Sequence, residues 1–264
     1  MNGIGTITLT YLRKDLDREY TLNYWKTKHG WLVSLNSGCT VYRQVKFTDN
    51  PLLQIENWTV NQKFSNFKMP DGVAENLVAT YINGVRLLLS DNKKKIYQDE
   101  HKFISDCFMY QTMKKNAIYH REELSSYNDE TGLLEGERLL ILFKGKNLKN
   151  IVLKVLPDIC KKNDKIKEIH SYYFTKYNEN LWRSIDVNHK QPKEDEYNAA
   201  LMLGAEHKND IIKLLNSEEF SSVINSLNSI TINTFDVEQV LIMRYNNMRS
   251  LAAINGKQGT TCCV

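Results

Sequence analysis

The chain has 264 residues, 42% of them hydrophobic and 25% charged, enough for one large domain or two domains of about 130 residues each. Against 31 acidic residues stand 35 basic ones, a net charge of +4. Apart from Lys93-Lys94-Lys95 and Lys161-Lys162 the cations are scattered, which excludes the dense basic surface of a nucleic-acid binder.

Five cysteines, Cys39, Cys107, Cys160, Cys262 and Cys263, make no CxxC pair and no zinc-spaced Cys/His set. The opening "MNGIGTITLTYLRK" lacks a secretory pattern, and no apolar run reaches the length of a membrane span. The expectation is a cytoplasmic protein with free thiols.

In chain order, "TITLTYL" (Thr6 to Leu12) sets Ile7, Leu9 and Tyr11 against threonines and predicts a half-buried strand. Asp17 is placed to cap a helix that carries Tyr20, Tyr24, Trp31 and Leu35 at roughly helical spacing and stops at Asn36 to Gly38. "CTVYRQVKF" (Cys39 to Phe47) and "GVAENLVAT" (Gly72 to Thr80) predict two more strands. Between them lies a polar and aromatic insertion, Thr48 to Pro70, of loop or lid character. A broken or bent helix covers Ile82 to Ile104, and "CFMYQTM" (Cys107 to Met113) is a fourth strand. That order, β-α-β-β-α-β, is the ferredoxin-like split βαβ arrangement.

After a polar connector the order returns. Arg138 to Lys144 reads as a strand, Asn147 to Lys162 as a helix that Pro157 should kink or end, and Ile166 to Tyr177 as a strand. A second insertion, Asn178 to Glu196, precedes a strand (Tyr197 to Glu206), a helix (Asn209 to Leu227) and a strand (Val237 to Tyr245). Tyr42 and Lys46 echo in Tyr172 and Lys176, and "RLLLSD" in "IKLLNS". The division is 1–115 for a first repeat, 116–136 for the connector, 137–246 for a second repeat and 247–264 for a flexible tail. The "CCV" ending is not a prenylation box, because Thr261 stands where that box needs its cysteine; palmitoylation stays open.

The series "YLRK…DREYTLNYWKTKHG…VYRQVKF…DGVAENLVAT…KIYQDEHKFI" resembles the EthD family of the dimeric α+β barrel superfamily. The family's positions are filled by Arg13-Lys14, Tyr24-Trp25 with His29, Tyr42 and Gln44, Asp71, and Asp99-Glu100 with Phe103. The resemblance spans about residues 5 to 113, and the second half departs from it: no histidine matches His29, and "VINSLNSI" replaces the Asp-Glu-x-x-Phe signature. It implies an α+β fold of two tandem ferredoxin-like repeats, the second degenerate, packed as two subunits pack in single-repeat relatives. It also implies a monomer or weak homodimer, and a small-molecule enzyme without metal or cofactor, acting on an aromatic or polyketide-like substrate by dehydration, cyclisation or decarboxylation.

His29 near a helix C-terminus is explained equally by the helix dipole, and only the resemblance makes it the catalytic base or acid. Tyr42 and Gln44 share a strand face and could hold a carbonyl substrate, or be core residues. Asp71, Asp99 and Glu100 are candidates to orient His29 and equally caps or salt-bridge partners. In the second half His170 and Tyr172 share a face, either as further pocket residues or as an ordinary half-exposed strand. No Walker, GxGxxG, GxSxG or HExxH motif is present. The alternatives are a noncatalytic small-molecule-binding protein and a heme-binding or oxygenase role, since other branches of the superfamily bind heme through a histidine.

Overall fold

A computed structural model of the chain describes residues 4–36, 38–62, 68–78, 80–121, 128–245 and 248–256. The first half is β1 (Ile4–Leu12), helix α1, β2 (Val41–Leu53), β3 (Gly72–Val78), α2 (Tyr81–Leu89), α3 (Asp91–Glu100) and β4 (Ile104–Arg121). Helix α1 is continuous through Arg18–Tyr24, a wide π-helical turn Trp25–His29, and Gly30–Ser34. Asp17 caps it as expected, its side chain accepting from the Tyr20 amide at 2.8 Å.

The second half repeats the order. It has β5 (Glu137–Lys144), α4, β6 (Ile166–Phe174), β7 (Ala199–Ala205), α5 (Lys208–Leu215), α6 (Glu218–Asn225) and β8 (Thr231–Tyr245). Helix α4 again carries a π-helical turn, Ile151–Val155, between Leu148–Asn150 and Leu156–Lys161. Pro157 follows that turn directly, and the helix runs on to Lys161. A proline without an N–H is tolerated where the ladder is already opened. In both halves the second helix breaks at a serine in extended conformation, Ser90 and Ser217, so the echo of "RLLLSD" in "IKLLNS" marks a shared break.

The strands are antiparallel, in the order β2-β3-β1-β4-β6-β7-β5-β8. Pairing of β2 with β8 closes the circle. Each half contributes a ferredoxin-like sheet, and the joins β4–β6 and β2–β8 make one barrel from the two. Three strands are longer than their apolar patterns predict: β8 starts at Thr231 rather than Val237, pairing with Arg138 to Lys144 of β5, and closure extends the other two. Residues 116–121, expected as connector, belong to β4: after an irregularity at "KKN" the strand resumes and pairs Ala117 with Tyr172 through Arg121 with Glu168. β2 likewise continues past Phe47 to pair Leu52 with Phe235. A boundary at residue 115 therefore falls inside a continuous strand.

Side-chain alternation separates two environments. Ile7, Leu9, Tyr11, Leu140, Leu142 and Tyr172 point into the barrel and form its core. On the outer face of the second half, Leu139, Ile141 and Phe143 meet Val152, Leu156, Ile211 and Phe220 of the helices in a solid apolar layer. The two insertions cross over. Trp58 of the first half stacks on Phe220 at 6.0 Å and donates its indole N–H to the Leu215 carbonyl at 2.9 Å. Trp182 of the second half packs edge-on to Tyr97 of α3 at 4.6 Å. Each half thus covers the other's helical layer.

Residues 248–256, expected as the start of a tail, form β9 (Met248–Arg249) beside β8 and helix α7 (Leu251–Asn255), capped by the Ser250 hydroxyl and holding Ala253 buried. Cys262 and Cys263 lie outside the described residues. No helix among the described residues is long and apolar enough to cross a membrane.

Gly72 shows how tightly α1 lies on the first sheet: a Cβ there would stand 2.2 Å from the Val45 carbonyl oxygen and 2.9 Å from the Trp25 ring. Gly72→Ala is therefore expected to destabilise the protein by about 1–3 kcal/mol through overpacking. Urea unfolding reads this directly, and an unchanged midpoint would show that the contact yields freely.

Candidate active site

The registers lay out the outer face of the first sheet as a grid. One row is Gln111, Thr6, Asn76 and Tyr42; the next is Met109, Thr8, Ala74 and Gln44; the third is Cys107, Thr10, Gly72 and Lys46. Over this floor α1 presents Trp25, His29, Val33 and Asn36, one stripe of a helix, while α3 adds Ile96 and Glu100. Leu181 and Trp182 reach in from the second half. Floor and roof do not meet: they enclose a largely apolar cavity of about 220 Å³. The corresponding layer of the second half is filled.

His29 is 4% exposed. Its Nδ1 lies 3.1 Å from Oδ2 of Asp99, which is as deeply buried. Tyr24 donates its hydroxyl to the other carboxylate oxygen at 2.5 Å, and the Lys102 ammonium stands 3.6 Å away. Burial works to raise the Asp99 pKa, but the bond and charge of His29, with Tyr24 and Lys102 behind them, outweigh it and hold the carboxyl below its usual value. An ionised carboxylate only accepts, so Nδ1 carries the imidazole proton and Nε2 is the nitrogen left for the cavity. Phe103 holds the ring from one side, centroids 4.8 Å apart, and is itself 5.4 Å from Tyr24.

Glu100, next to Asp99 in sequence, has the opposite character. Burial pushes its pKa up, against the charge of His29, a bond from the Ser184 hydroxyl and the indole N–H of Trp182 at 3.0 and 3.1 Å. Two adjacent carboxyls are thus driven apart, one held below its usual value behind the imidazole and one pushed above it at the cavity wall. The loop carrying Ser184 is braced by His189, whose Nε2 accepts from the Ser184 amide at 3.0 Å while Nδ1–H donates to the Cys107 carbonyl at 2.9 Å.

Tyr42 lines the cavity, and its hydroxyl oxygen accepts from Gln44 Nε2 at 3.0 Å and from the Trp25 indole. Burial raises the pKa of the phenol, so it keeps its proton and acts as a hydrogen-bond donor. Gln44 lies behind Tyr42 and Trp25, donating also to the Trp25 carbonyl at 2.7 Å, and faces a surface groove on the far side of the indole.

Three sequence candidates lie elsewhere. Asp71 is a structural brace: it accepts from the Leu12 amide at 2.8 Å and pairs with Arg18. His170 and Tyr172 do share a face, but that face is the barrel interior, where both contact Glu75. Sequence reading missed Thr6, Thr8 and Asn36, taken for a strand's polar face and a helix stop, and it missed the second-half contribution of Leu181, Trp182 and Ser184. The threonine alternation was the available signal. An all-threonine polar face under a helix suits a lined cavity better than open solvent. Among the described residues no group of three His, Cys, Asp or Glu is placed to hold a metal ion.

The fold and the site together define a dimeric α+β barrel realised within one chain, with one repeat hollowed into a pocket and the other packed solid. Solved structures of the same fold include a provisionally assigned monooxygenase from Lactobacillus acidophilus NCFM, 7% identical, covering 92% of this chain and 98% of its own with a TM-score of 0.52. A second, from Fusobacterium nucleatum and assigned in the same way, is 7% identical over 91% and 94% of the two chains, TM-score 0.52. An anthrone oxidase-like protein is also 7% identical, over 91% and 93%, TM-score 0.52. Likeness at this identity carries the fold alone. No family model matches the sequence, and no curated relative matches it.

Proposed function

We propose that the chain is an EthD-like small-molecule enzyme that moves a proton on an aromatic or polyketide-like substrate, with dehydration, cyclisation or decarboxylation as the outcome. The observation that carries this is the buried Asp99–His29 pair at the wall of an apolar cavity. His29 Nε2 takes a proton from carbon or hydroxyl, and Asp99 stabilises the imidazolium that forms. The Tyr42 hydroxyl donates to the oxygen on which negative charge develops. Trp25, Trp182 and Ile96 exclude water and sandwich a flat ring.

The size of the same cavity bears on the other ligands. A cavity of about 150 Å³ holds benzene, and 220 Å³ holds a bicyclic. A four-ring heme would have to displace the roof, so the residues present do not fit it. One further outcome of the same proton abstraction is capture of the carbanion made by His29 by dioxygen. Buried free thiols at Cys39, Cys107 and Cys160 suit a cytoplasmic enzyme. The barrel interface is satisfied within the chain, so a monomer or weak homodimer is expected by light scattering.

The test needs no knowledge of the natural substrate. 2-Tetralone is bicyclic and carries acidic protons beside its carbonyl; in deuterated buffer the protein is expected to accelerate their exchange, followed by NMR, with an oxygen electrode reading any uptake. No acceleration over buffer, with 2-tetralone shown to quench tryptophan fluorescence, would leave a binder rather than an enzyme.

A further inference from the structure

A buried polar atom without a partner is rare, because it forfeits the hydrogen bond it had in water. The cavity holds three such atoms, the Thr6 and Thr8 hydroxyls and Asn36 Nδ2. Thr8 is 6% and Asn36 1% exposed. Asn36 Oδ1 is occupied by the Gly38 amide at 3.3 Å, which leaves the NH₂ group for the cavity.

Their position is fixed by the fold. The Trp25 ring lies on Gly72, in the third row of the floor, and α1 runs back from there along the sheet. Cys39, just after α1, reaches Asn76 of the first row at 3.4 Å. Asn36 therefore stands at the Thr6 end, and His29 and Glu100 at the other. Seven residues separate His29 from Asn36, roughly 10 Å along a helix axis.

We infer that Asn36 with Thr6 and Thr8 forms an oxygen-reading subsite, and that the substrate is an elongated fused bicyclic bearing a hydroxyl or keto oxygen at the end remote from the carbon that His29 deprotonates. Asn36 donates to that oxygen, and the threonine hydroxyls give or take its second bond. The inference rests on reading the cavity as a substrate pocket. It makes Asn36, Thr6 and Thr8 specificity-determining residues, outside the proton-transfer step.

The experiment compares 2-tetralone with 6-hydroxy-2-tetralone, which differs only by a hydroxyl at the far end of the ring system. Binding is read from tryptophan quenching and turnover from deuterium exchange, in the unmodified protein and in Asn36→Leu and Thr8→Val. The unmodified protein is expected to bind the hydroxylated probe about tenfold or more tightly, the factor for a satisfied buried donor, and both variants to lose that preference while still exchanging 2-tetralone. Equal binding of the two probes, or a preference that survives both variants, overturns the subsite and leaves the pocket intact. If neither probe binds, the pocket reading fails and the subsite with it.

Discussion

His29→Ala is expected to slow the exchange of 2-tetralone by about 10²–10⁴-fold, the usual contribution of a positioned general base, while tryptophan quenching by the probe persists. His29→Gln fills the same space without a base and guards against a merely collapsed cavity. Asp99→Asn should cost nearly as much, for a reason the geometry supplies. The Tyr24 hydroxyl donates to Oδ1, so an asparagine amide would set its oxygen there and turn its NH₂ toward His29 Nδ1. The imidazole proton would then be forced onto Nε2, and the cavity would face a donor where it now faces a base. Tyr24→Phe frees the amide to turn round, so the double variant Tyr24→Phe, Asp99→Asn should recover part of the loss. Exchange rates within about threefold of the unmodified protein in both His29 variants would remove the catalytic assignment.

Much of this arrangement is legible in the chain, and the illegible part has a common cause. Local signals agree with the structure at the Asp17 cap, the stop at Asn36, the break in the helix expected over 82–104 and the doubled β-α-β-β-α-β order, all set by residues close in sequence, whereas the single helix expected over Asn209 to Leu227 is in fact broken at Ser217. What needs partners from far away did not show. Nothing in "DEHKF" tells that Asp99 meets a histidine 70 residues earlier while Glu100 meets a tryptophan 82 residues later. The long β4 was hidden because "KKN" reads as a loop, although it marks only the irregularity before the strand crosses to β6. His170 and Tyr172 were correctly placed on one face. Alternation alone could not say whether that face looks into the barrel or out to a helix, since both environments are buried and the ion cluster that meets His170 and Tyr172 comes from distant strands.

Arg43→Met is expected to be strongly destabilising, because it strips the cation from a closed ion cluster inside the barrel. Arg43 of β2 is 1% exposed and pairs with Glu75 of β3 and Glu168 of β6, and its Nη2 also stands 2.7 Å from His170 Nδ1. Arg138 of β5 reaches Glu168 from the other side at 2.9 Å, and Tyr172 donates to Glu75. Two arginines balance two glutamates across the join between the halves. Burial by itself raises both carboxyl pKa values, but Arg43, joined at Glu168 by Arg138 and at both by His170, reverses that and holds Glu75 low and Glu168 lower still. Removing one partner of such a group leaves buried charge uncompensated and costs about 3–5 kcal/mol, which at roughly 2–4 °C per kcal/mol is a Tm fall of about 6–20 °C. The pH dependence gives the sign. Carboxyls whose folded pKa is depressed contribute stability that is present above the unfolded value, near 4.3 for glutamate, and lost as pH falls through the folded one. In Arg43→Met the carboxyls lose that depression and take up protons in the folded state. The gap between variant and unmodified protein should therefore be widest near pH 7 and narrow as the solution is acidified toward pH 4. Thermal unfolding at both pH values decides it: a loss under about 1 kcal/mol, or a gap independent of pH, would mean that Arg43 is held by packing rather than by charge.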